Sequence, residues 1–91
     1  MDSIELFPSL SHCIETTARD EFWNSVNSYM ESGQKNNELE EKIKLLKAFL
    51  ESMDFKKLRS ESEKQLIEGK TVKFVIRWQE AKPSYDIVVN P

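Results

Sequence analysis

The amino-acid sequence predicts an α+β domain, with a helical hairpin and a third helix packed on a C-terminal antiparallel β-hairpin. Three observations carry this. Residues 71–78 and 85–89 alternate apolar and polar side chains with period two, the pattern of a half-buried strand. Residues 17–33 and 37–53 instead repeat apolar side chains at helical spacing. The only two glycines, Gly33 and Gly69, stand where helical patterns stop, which suits a helix C-terminus.

The N-terminal segment is open to more than one reading. Ile4, Leu6 and Phe7 precede Pro8 and suit a short edge strand, while Pro8-Ser9 also suits the first turn of a short helix. Residues 1–11 are therefore left as strand, helix or neither. The first well-marked helix is expected from Thr17. Thr17-Ala18-Arg19-Asp20 has the form of a capping box, and Glu21 adds negative charge to the first turn. Ala18, Phe22, Trp23, Val26, Tyr29 and Met30 form its apolar stripe, and Gly33 ends it.

A second helix is expected from Asn37, where Asn37-Glu38-Leu39-Glu40 repeats the capping pattern. Leu39, Ile43, Leu46, Phe49, Leu50 and Met53 fall within roughly 120° of arc at the helical step. Beyond them the stripe moves: Phe55, Leu58 and Leu66 point roughly 140° away from that direction. One straight helix would need two unrelated buried faces. The chain is thus expected to break near Ser52–Asp54, with Ser52 or Asp54 capping a third helix that stops at Gly69.

The hairpin follows at once. Val72, Phe74, Ile76 and Trp78 share one face of its first strand, and Tyr85, Ile87 and Val89 share one face of its second. A turn centred on Ala81 and Lys82 would set Trp78 opposite Tyr85, Ile76 opposite Ile87 and Phe74 opposite Val89, with Arg77 facing Asp86. Two strands alone are marginally stable, so this apolar face must meet the helix stripes. If no edge strand joins, both edges of the hairpin are open, and a homodimer through that edge is a further expectation.

Totals narrow the function classes. Ninety-one residues suit a single domain, 1–91, with a modest core. The charged fraction of 32% beside 38% hydrophobic residues suits a folded, soluble chain rather than a disordered one. No apolar run approaches the ~20 residues that cross a bilayer, and the acidic start lacks the pattern of a secretory signal. Cys13 is the only cysteine, so no internal disulfide forms, and a reducing cytoplasm is expected. Net charge is −3, divided unevenly: residues 1–41 hold nine acids and two bases, residues 42–91 seven acids and eleven bases.

No motif specifies a chemistry. His12 and Cys13 are adjacent, so on a helix they diverge by about 100°, and a zinc site wants four convergent ligands. Cys–His nucleophilic catalysis needs the base within reach of the sulfur, which sequence neighbours rarely provide. With two glycines, both at helix ends, there is no phosphate-cradling loop. Acid pairs such as Glu40 and Glu41 or Glu61 and Glu63 lie in charge-rich helices and suit solvated faces. Neither an enzyme, a cofactor nor a metal is expected, and no membrane partner: Lys42, Lys44 and Lys47 beside the second stripe are diluted by Glu38, Glu40, Glu41 and Glu51.

Two binding readings remain. Protein–protein interaction, in a regulatory, adaptor or inhibitor role, is favoured by the aromatic content and by Trp23 at the border of its helix stripe, with Asp20 nearby. The alternative is nucleic acid. Lys73 and Arg77 flank Val75 on the outer strand face, and Lys56, Lys57, Arg59 and Lys64 lie on the third helix. Stacking would need exposed aromatics, whereas Phe74, Trp78 and Tyr85 are expected in the core. The candidate partner-binding residues are therefore Asp20, Trp23, Lys73, Val75 and Arg77.

Overall fold

A computed structural model describes residues 3–91. Strand β1 (Ile4–Leu6) is followed by helices α1 (Ile14–Glu31), α2 (Asn37–Ser52) and α3 (Phe55–Ile67), then by strands β2 (Thr71–Gln79) and β3 (Lys82–Asn90). The strands make one antiparallel sheet in the order β1-β2-β3, so the short N-terminal strand covers one edge of the hairpin. This is the expected α+β architecture. Of the three options for the N-terminal segment, residues 4–6 take the strand.

The sheet is two-faced for the reason its alternation implies. Ile4, Leu6, Val72, Phe74 and Ile76 are buried on one side, and Glu5, Lys73, Val75 and Arg77 lie on the other. The helices cover the first side. Phe49 of α2 meets Tyr85 edge-on at 6.4 Å, and the core is completed by Ile14, Ala18, Leu45, Leu46 and Leu58. Trp78 departs from the expected core. It lies at the end of the same face, beyond the helical cover, and remains 41% exposed.

Register differs from the expected one by two residues. Trp78 is opposite Pro83, Ile76 opposite Tyr85, Phe74 opposite Ile87 and Val72 opposite Val89. The cause is the turn: Glu80 and Ala81 both have positive φ, 52° and 66°, and form a two-residue connection closed by Gln79 and Lys82. A shift of two leaves every side chain on its face. Arg77 consequently faces Ser84 and reaches Asp86 diagonally, as an ion pair rather than a directly opposed one.

Helix boundaries follow local chemistry. Helix α1 begins three residues before Thr17, with Cys13 at its N-cap and Ile14 fully buried, because burial of Ile14 recruits the preceding turn. Thr17 is inside the helix, its hydroxyl donating back to the Cys13 carbonyl at 2.9 Å. Asn36, rather than Asn37, caps α2 by accepting from the Leu39 N–H, and Asp54 caps α3 by accepting from the Lys57 N–H. Gly33 and Gly69 both have positive φ and close the same C-terminal motif. Gly33 donates to Met30 and Gln34 to Tyr29; Gly69 donates to Leu66 and Lys70 to Gln65.

Candidate functional site

Helix α1 carries more apolar surface than the core uses. Ile14, Ala18 and Ser25 are buried, while Trp23 and Met30 are 56% and 57% exposed. Seven residues apart, Trp23 and Met30 project within about 20° of each other at the helical step. Phe22 holds the Trp23 ring edge-on, with centroids 5.3 Å apart and planes at 79°, so the indole is braced from one side and open on the other. Next to this stripe, α1 and α2 enclose an open groove of about 400 Å³. Val26, Tyr29 and Ile43 supply its apolar lining; Glu40, Lys44 and Lys47 supply its charges. The Tyr29 hydroxyl approaches Glu40 Oε2 at 3.5 Å, and Lys44 Nζ lies 3.5 Å from Glu40 Oε1, so Glu40 is already engaged.

Asp20 is on the exposed side of α1, one turn before Trp23, with His12 Nε2 3.7 Å from its Oδ2. The two helix candidates therefore share one surface. Lys73, Val75 and Arg77 form a second group on the sheet face turned away from the helices. That face is less basic than its lysine and arginine imply. Lys73 Nζ lies 2.7 Å from Glu5 Oε2, and Arg77 is paired with Asp86. Val75 sits between Glu5 on one neighbouring strand and Asp86 on the other. The five candidates thus fall into two surfaces in different layers.

Cys13 occupies a smaller cleft, of about 260 Å³, lined by Cys13, Glu15, Phe55, Lys56 and Arg59. Its sulfur lies 3.3 Å from the Thr16 hydroxyl. That hydrogen bond, the Thr16 backbone N–H at the helix N-terminus and a smaller contribution from Arg59 hold the thiol pKa below its ordinary value, against a modest opposing effect of burial. His12 is directed to Asp20, so no imidazole is placed to act as base for this sulfur. Among the described residues, no three His, Cys, Asp or Glu side chains gather as metal ligands, and no helix is long and apolar enough to cross a membrane.

Sequence reasoning missed Met30 as a surface residue and the groove beside it. The helical spacing that placed Trp23 and Met30 in a stripe could have separated them from Ile14 and Ala18, which point to the opposite side of the helix. The width of the apolar arc was legible; which part of it a neighbouring element covers was not.

No curated protein and no solved structure matches this chain. One family model does, over residues 3–89, which takes in all three helices and all of the sheet but Asn90. The chain belongs to the family that this model defines.

Proposed function

We propose that this protein is a small, non-catalytic, cytoplasmic interaction module that acts on another protein in a regulatory, adaptor or inhibitor role, through the exposed face of α1. The observation that carries the reading is the braced but open Trp23, aligned with Met30 and adjoining the groove of Val26, Tyr29 and Ile43. A large aromatic fixed from one side gives up little conformational freedom on docking, which is what an interface anchor requires. Asp20 at the edge of the stripe favours a partner with a basic rim.

The nucleic-acid alternative would use the outer hairpin face and α3. Its weak point is that Lys73 and Arg77 each have a carboxylate partner, so binding phosphate there means breaking an existing ion pair.

The test is capture from native, nuclease-treated lysate with the wild-type protein and with Trp23→Ala. The expected result is a stoichiometric protein held by the wild type and lost from the variant, with the two proteins melting alike. Recovery of nucleic acid that salt releases, in samples not treated with nuclease, would replace this reading with the alternative.

A further inference from the structure

Strand β3 is a nine-residue edge strand with nothing on its outer side among the described residues. Its hydrogen-bonding parity follows from the turn. In a two-residue hairpin the closing pair, here Gln79 and Lys82, is hydrogen-bonded, and bonded pairs then alternate along the ladder. Lys82, Ser84, Asp86, Val88 and Asn90 therefore direct their N–H and C=O groups at β2. Pro83, Tyr85, Ile87 and Val89 direct theirs outward, and Pro91 falls at the next outward position. Pro83 is tolerated in the strand for this reason: the N–H it lacks would not have reached β2.

The free edge is thus a window of three donors, Tyr85, Ile87 and Val89, bracketed by two prolines that have none. The geometry points to a second copy of this chain as its occupant, paired antiparallel with Ile87 opposite Ile87. Only that register sets Pro83 of each strand against Pro91 of the other, so Tyr85, Ile87 and Val89 pair fully with Val89, Ile87 and Tyr85 of the other copy, and the ladder ends at positions where neither side has a donor and the proline carbonyls are left to water. An unrelated strand has no reason to lack donors eight residues apart; a copy of β3 does so by identity. The interface is isologous.

Side chains and charges agree with this register. Tyr85 meets Val89 and Ile87 meets its own copy on the helix-covered face, prolonging the core across the junction. On the other face Asp86 meets Val88. Moving the centre by one residue to Asp86 would oppose two carboxylates directly, which is unfavourable, whereas here each Asp86 keeps its own Arg77. Val88 and Val89, each 37% exposed, become covered. β1 offers no rival edge, having only three residues. The two protomers form a continuous six-stranded sheet, and the face bearing Trp23 lies outside the junction.

Sedimentation over a wide concentration range tests this. The wild type is expected to show a monomer–dimer equilibrium. Val89→Pro deletes one outward donor per chain, two per dimer, without touching the β2–β3 ladder, and should weaken association about tenfold or more. Val88→Glu should also weaken it, by facing Asp86 of the other copy, while gaining Lys73 as a cross-strand partner in its own sheet. Register is read from a Cys13→Ser background carrying Ser84→Cys and Asn90→Cys, which face each other only between chains and should yield a covalent dimer on mild oxidation. Trp23→Ala should leave the equilibrium unchanged, which separates this contact from the α1 surface. A chain that stays monomeric at millimolar concentration overturns the proposal, as does a dimer that survives Val89→Pro unaltered and forms no cross-link.

Discussion

Phe49 and Trp23 are both helical aromatics, yet truncating them should have unlike consequences. Phe49 is fully buried and touches Phe55 and Tyr85 edge-on. Phe49→Ala is expected to cost about 3–5 kcal/mol, since the surrounding side chains cannot close the cavity. Trp23→Ala should cost clearly less, because more than half of the Trp23 side chain is already exposed and its ring packs edge-on against Phe22 at the surface. Urea denaturation of both variants checks the contrast, and a large loss at Trp23 would mean that the indole is structural. Trp78, expected from its alternation to behave like Phe49, is 41% exposed and should cost clearly less. At this scale the burial of Phe49 was legible from its stripe, whereas that of Leu45, which lies outside the expected stripe, and the exposure of Trp78 were not. Alternation tells which way Trp78 points; it does not tell how far the helical layer extends. Cys13 offers a pH-dependent measurement. Its lowered pKa means that thiolate forms at lower pH in the folded chain than in the unfolded one. The iodoacetamide rate should therefore rise with pH through a midpoint below that found in denaturant. Thr16→Val, which removes the largest cause of the shift, should move the folded midpoint upward.

Among the elements, the hairpin turn is the place where local preference and fold disagree. Glu80 and Ala81 occupy left-handed backbone conformations that side chains with a Cβ disfavour, where Asn-Gly is the common solution. The rest of the hairpin holds them there: Phe74 and Ile76 meet Ile87 and Tyr85 only in this register. The missing turn signal is also why the observed ladder lies two residues from the register the sequence predicts, with both faces as expected. A shift of two is invisible to alternation and is decided by turn chemistry alone. Glu80→Asn with Ala81→Gly should relieve the conflict and stabilise the protein by about 1 kcal/mol, read as a higher denaturation midpoint with unchanged slope. No gain would mean that the turn residues contribute something else in the native state. By contrast, the break between α2 and α3 was legible from the rotation of the apolar stripe, and Asp54 caps α3 at that break. The start of α1 was not, because its cap is a cysteine that makes no side-chain capping bond.

Across the whole molecule, the uneven charge along the chain is partly offset by folding. Lys42 from the basic half meets Glu21 of α1, and Lys73 meets Glu5 of β1. Both pairs join segments far apart in sequence, so at these places an acid from before residue 42 and a base from residue 42 onward lie side by side. The outer sheet face shows this most clearly, since its two bases, Lys73 and Arg77, are matched by Glu5 and Asp86. Exposed pairs of this kind contribute little to stability, about 0–1 kcal/mol each, but they change what the surface can bind. Removing the acids while keeping the bases isolates that effect. The wild type is expected to hold a labelled single-stranded oligonucleotide weakly or not at all at physiological ionic strength. Glu5→Ala with Asp86→Ala should uncover Lys73 and Arg77 and produce binding that falls steeply as salt is added. Lys56, Lys57 and Lys64 on α3, which have no ion-pair partner among the described residues, are present in both proteins, so a difference between them reports the sheet face alone. If the wild type already binds tightly, with a steep salt dependence that Lys73→Ala and Arg77→Ala abolish, the ion pairs open readily and the sheet face is a phosphate-binding surface. If only the double acid variant binds, Glu5 and Asp86 neutralise the sheet face, and the nucleic-acid reading of that face fails.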